Sequence, residues 1–120
     1  MKPYVDVLGT RYKIEVRSVE NDKFLKEKGC DGYCSEFEKL IVIADLKTFP
    51  GSEYATETEL INQQKHILRH ELVHAFLDES GLTTCSNVWN GPWPKNEEMV
   101  DFFAVQIPKI IEVFKWCECI

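Results

Sequence analysis

The stretch from Thr56 to Gly81 constrains this chain more than any other, because it spells out one long helix and both of its ends. Thr56 followed three residues later by Glu59 is a capping box, in which side chain and backbone satisfy each other's free donors. Gly81 stands where a left-handed carboxy-terminal cap is expected. Between them Leu60, Ile61, Ile67, Leu68, Val73, Ala75, Phe76 and Leu77 recur at helical spacing, so the helix is mostly buried about its middle. Inside that apolar stretch lie His70, Glu71, Leu72, Val73 and His74. Positions four apart sit one turn apart on the same face, and both imidazoles can reach a single cation.

Two imidazoles so spaced, with a glutamate directly after the first, make the pattern H-E-x-x-H. The rings bind a metal and the glutamate holds and deprotonates a metal-bound water, which points to a zinc-dependent hydrolase. The plain alternative is a helix that happens to carry two partly exposed histidines. Catalytic zinc takes three protein ligands and leaves the fourth position to water, so a third ligand must come from elsewhere. The run Asn96 to Asp101 supplies one on a second helix: Glu97 and Asp101 are one turn apart. Glu97 can ligate while Asp101 accepts from the far nitrogen of a ligating histidine and fixes its tautomer. Glu98 competes for the ligand role about 100° round the helix, and Glu97 is preferred because only it has the four-residue spacing to Asp101. The rival explanation of these acids is amino-terminal charge complementing the helix dipole after an Asn96 cap.

At 120 residues the chain is expected to form a single domain, residues 1–120. Hydrophobic content of 44% with 12% aromatics favours a globular protein. A net charge of -6, with Lys and Arg scattered among acids, argues against nucleic acid. No apolar run reaches bilayer length and Met1-Lys2-Pro3-Tyr4 lacks a signal-peptide core, so a soluble cytoplasmic protein without membrane contact is expected. Five cysteines (Cys30, Cys34, Cys85, Cys117, Cys119) then read as reduced thiols. A thiolate zinc site is the lesser alternative, since no pair has the usual two-residue gap.

Upstream of the helix, Tyr12 to Arg17 alternates as a half-buried strand, Asn21 to Lys28 suggests a short helix, and Gly29 to Gly32 a turn. Leu40 to Ala44 is a continuous apolar strand, with Glu36 to Lys39 leading into it as part of the same strand. It is equally an edge strand or a central one. Phe49 to Ser52 closes the β region as a loop. Downstream, Leu82 to Lys95 reads as a turn-rich loop with Trp89 and Gly91-Pro92-Trp93-Pro94, the tryptophans either rimming a cleft or plugging the core. The second helix starts near Asn96, and Pro108 is expected to kink it or start another. The expected fold class is α+β: a small twisted sheet packed on the motif helix, with the second helix crossing to deliver its acid.

The E-x-x-x-D pattern of Glu97 and Asp101 resembles the second signature of the gluzincin (thermolysin-like) metallopeptidases. With the motif helix and Phe102-Phe103-Ala104, residues Ile67 to Lys109 resemble the small zinc metallopeptidases of phages and prophages, and more distantly the ImmA/IrrE type. The resemblance implies a zincin-like fold and a peptide or protein substrate. It also implies zinc on His70, His74 and Glu97, Glu71 as general base, and Asp101 behind a histidine. An edge strand beside the motif helix, for which Leu40 to Ala44 is the nearest candidate, would hold an extended peptide. In so short a chain the cleft would be shallow, and a partner protein could complete it. Tyr33, Tyr54, His66 and Arg69 are the candidates for stabilising the transition state, although His66 and Arg69 read first as surface residues. The rival classes are a zinc-stabilised protein-binding module without turnover and a hydrolase of non-peptide amides.

Overall fold

The computed structural model describes residues 1–85 and 95–120. It is an α+β fold, with one mixed four-stranded sheet and two long helices. Strands β1 (Tyr4–Val7) and β2 (Thr10–Arg17) form an antiparallel hairpin. Leu8 and Gly9 between them both have positive φ, 50° and 88°, the requirement of a two-residue turn that matches strand twist. Helix α1 (Lys23–Lys28) follows, its first turn capped by Asp22 and its end by left-handed Gly29. Strands β3 (Gly32–Ser35) and β4 (Leu40–Ala44) make the second hairpin. The long helices are α2 (Glu57–Glu79) and α4 (Glu97–Trp116), with the short α3 (Leu82–Cys85) after α2.

The sheet order is β1-β2-β4-β3, with β2 and β4 parallel and the other pairs antiparallel. β4 is therefore central. Ile41 and Ile43 join a core with Val7, Tyr12, Leu46, Ile67 and Ala75, while Val42 and Ala44 pack with Leu25. A strand covered on both faces has no polar side to show, which accounts for its unbroken apolar run. The edge beside the motif helix belongs to β3. Glu36 to Lys39 is the β3–β4 turn rather than a lead-in strand, and Lys39 carries a positive φ of 54° within it. The region expected to be loop from Leu82 onward starts with a helical turn, α3; Trp89 and Gly91 to Pro94 lie outside the described residues.

α2 begins with the expected capping box: the Thr56 hydroxyl accepts from the Glu59 N–H at 3.2 Å and the Glu59 carboxylate from the Thr56 N–H at 2.7 Å. It ends at Gly81, whose φ of 83° is the left-handed cap. Its last residue, Glu79, ties the helix to the sheet by accepting from the hydroxyls of Thr10 at 2.9 Å and Tyr12 at 2.8 Å, and from the Lys39 ammonium. α4 is continuous through Pro108 instead of restarting there. Proline lacks the N–H that would bond the carbonyl four residues back, that of Ala104. Arg69 on α2 fills the gap, its Nε donating to the Ala104 carbonyl at 2.7 Å. Arg69 is thus a bracket between the long helices, not a free surface charge. No helix among the described residues is long and apolar enough to cross a membrane.

Candidate metal centre

α2 turns His70 and His74 to the same side, ring centroids 5.0 Å apart, and α4 brings Glu97 across to meet them. Asn96 makes this possible by capping α4: its side chain accepts from the Met99 N–H at 2.9 Å and starts the helix one residue before Glu97. Glu97 Oε2 lies 2.8 Å from His70 Nε2 and 3.2 Å from His74 Nε2. One ligand atom from each residue falls within 4.8 Å of the others, and the group can hold a metal ion. Glu97 and Glu98 are both exposed, and of the two only Glu97 belongs to the group. Among the described residues no cysteine belongs to a metal-holding group; Cys117 and Cys119 are exposed on the tail.

Asp101, one turn along α4 from Glu97, stands behind His70. Its Oδ1 is 3.3 Å from His70 Nδ1 and 2.7 Å from His66 Nε2. An ionised carboxylate only accepts, so both ring nitrogens carry hydrogen toward it. The His66 contact first, then burial opposing it, then His70, set the outcome: the Asp101 carboxyl stays below its ordinary range. With Nδ1 as the donor, a neutral His70 turns the lone pair of Nε2 toward the Glu97 carboxylate. Two acceptors 2.8 Å apart repel each other unless a proton or a metal cation lies between them. A tetrahedral ion with ligand bonds of about 2.1 Å puts neighbouring ligand atoms roughly 3.4 Å apart, a span between the 2.8 Å of the closest pair and the 4.8 Å that bounds the group.

Glu71 is buried, 5% exposed, on the helix beside this group. Burial, then the nearby charges of Glu97 and Asp31, push its carboxyl up to about 8. A carboxyl poised near neutrality suits proton transfer in both directions. Gly32, first residue of β3, is what lets the sheet edge come this close. A Cβ there would stand 2.8 Å from Ile67 Cγ2, and 3.1 Å from both Glu71 Oε1 and the Val42 carbonyl.

The cleft over these residues has a volume of about 490 Å³, and β3 forms one wall with Gly32, Tyr33 and Cys34. Of the four residues considered for transition-state stabilisation, three are hydrogen-bonded elsewhere and one lies off the cleft. The Tyr33 hydroxyl donates to Asp22 Oδ2 at 2.8 Å and accepts from Arg17 at 3.2 Å, and Tyr54 is 89% exposed and not part of the cleft wall. His66 holds Asp101 and Arg69 holds the Ala104 carbonyl. Spacing alone did not single out three residues of the site: Asp31 beside Glu71, the close approach at Gly32, and Asp78 in the cleft wall. For Asp78 a signal existed, since it continues the four-residue spacing of His70 and His74 along the same face.

No protein-family model matches the chain, and neither a curated protein nor a solved structure matches it, so the functional reading rests on these residues alone.

Proposed function

We propose that the chain is a zinc-dependent peptidase with a zincin-like arrangement, acting on an extended peptide or protein. One observation carries this reading: three lone-pair donors on two helices converge while a buried, proton-ready carboxyl stands beside them. Zinc on His70, His74 and Glu97 would polarise the scissile carbonyl and lower the pKa of the attacking water from about 16 towards 7. The Glu71 carboxylate takes the proton from that water and hands it to the leaving nitrogen. Asp101 keeps His70 in the tautomer whose Nε2 is free to ligate. The outer edge of β3, which pairs with β4 on its other side, offers backbone groups to a substrate strand along the cleft.

A metal-stabilised binding module needs no base and would fill its fourth coordination position with a protein ligand. The test is turnover of fluorogenic peptides by zinc-loaded protein, with and without chelator, in wild type and Glu71→Gln. The expected result is chelator-sensitive cleavage that falls by at least about 100-fold in Glu71→Gln while zinc content stays at one per chain. Full activity in that variant, or cleavage indifferent to chelator, contradicts the reading.

A further inference from the structure

Asp78 lies four residues after His74 on α2 and lines the same cleft as His70, Glu71, His74 and Glu97. Its side chain is only 2% exposed, yet it is poorly served. Oδ1 accepts from the Thr83 hydroxyl and has the Lys95 ammonium 3.6 Å away, beyond hydrogen-bonding reach. Oδ2 is buried, and no described residue donates to it. Leaving a buried carboxylate oxygen without a donor is costly, and such a group persists where something else is served by it. Helix–sheet docking does not need it, because the neighbouring Glu79 makes those contacts with Thr10, Tyr12 and Lys39. The metal-holding group does not include it either.

The surroundings favour a cation: the cleft wall holds the acids Asp31, Glu71, Asp78 and Glu97 against Lys28 and Lys95. Lys95 is half exposed and, among the described residues, held by one long contact, so its ammonium is easily exchanged for another. Asp78 is about 6 Å along the helix axis from His74 at 1.5 Å per residue. An extended chain advances about 3.3 Å per residue, which puts this acid opposite a residue one or two positions from the reacting carbonyl.

We propose that Asp78 is a specificity-determining residue of the cleft, taking a cationic nitrogen of the substrate, ammonium or guanidinium, in place of Lys95. The inference rests on the peptidase reading and narrows its substrates to peptides with a basic group beside the cleaved bond. Substrate binding adds a donor to this carboxylate, whose Oδ2 has none among the described residues, and releases Lys95 from Oδ1 to solvent.

The test uses zinc-loaded full chain and fluorescent peptides with one lysine at each position within two residues of the cleaved bond. Each is paired with its Nε-acetyl twin, which keeps the stem and loses the charge. At one position or more the lysine member should be cleaved with at least tenfold higher kcat/KM. Asp78→Asn should bring that ratio below threefold with one zinc still bound, and Lys95→Met should raise it. A ratio near one at every position, or one unchanged by Asp78→Asn, overturns the inference. Binding of the same pairs to zinc-loaded Glu71→Gln protein, followed by fluorescence anisotropy, separates the two claims. Tenfold tighter binding of a lysine member, lost in Asp78→Asn, supports the inference even where nothing is cleaved, an outcome that sinks only the peptidase reading. Equal binding of the twins sinks the inference and leaves chelator-sensitive cleavage of neutral peptides intact. Should Asp78→Asn not fold, Lys95→Met decides: a raised lysine preference supports the inference, and an unchanged or lowered one overturns it.

Discussion

At the scale of single residues, Asp101 stands behind the imidazole pair and acts on it through His70. It accepts from His66 and His70 through the same oxygen, and so couples the turn before the motif to the tautomer of a ring in the candidate metal group. Losing such a carboxylate costs about 10- to 100-fold in metal affinity. Asp101→Asn should therefore weaken zinc binding by about that factor in a competition titration against a chromogenic chelator; an unchanged dissociation constant would remove its orienting role. His70, His74, Glu71, Glu97 and Asp101 could be read from residue type and spacing, because metal chemistry fixes which side chains stand one turn apart. Asp31 and Gly32 could not. Their part depends on β3 coming within van der Waals reach of Glu71, a long-range fact that no local pattern encodes.

At the scale of elements, the notable joint is the bracket between α2 and α4. Pro108 leaves the buried Ala104 carbonyl without its helical donor, and Arg69 supplies one from the neighbouring helix. A buried acceptor left alone costs about 1–3 kcal/mol. Arg69→Met should lose about that much stability in urea unfolding. In a Pro108→Ala background, where the backbone N–H returns, the same substitution should cost at least about 1 kcal/mol less. Strict additivity of the two changes would show that the arginine contact does not stand in for the missing bond. The ends of α2 and the start of α4 were legible because caps are local chemistry: Thr56, Glu59, Gly81 and Asn96 each act on neighbours in sequence. β1 and β3 were not. Leu8-Gly9 lacks the Asn or Asp that usually announces a tight hairpin, and β3 is a four-residue edge whose burial depends on α2. The unbroken apolar run of β4 marks a strand without saying which strands flank it, and only the sheet order makes it central.

At the scale of the whole molecule, Glu79 links β1–β2, the β3–β4 turn and the end of α2, and it shapes how stability depends on pH. Hydrogen bonds from Lys39, Tyr12 and Thr10 pull its carboxyl down to about 2. A carboxyl lowered on folding stabilises fully above its unfolded value of about 4.3, and that contribution is lost as pH falls towards the folded value. The urea midpoint should drop between pH 5 and pH 2.5, and Glu79→Gln should flatten that drop; identical slopes in both proteins would contradict it. Glu79 matters to the site as well, since the anchored end of α2 fixes where His74 and Asp78 face the sheet.

Two helices meet so that one carboxylate joins the imidazole pair in a three-point group that can hold a metal ion. Zinc stoichiometry and affinity by competition titration of wild type, Glu97→Gln and Glu98→Gln test it most directly. One zinc per chain is expected in wild type and Glu98→Gln, with binding weakened by at least tenfold in Glu97→Gln. Equal zinc affinity in all three proteins, or no zinc bound by the wild type, would contradict it.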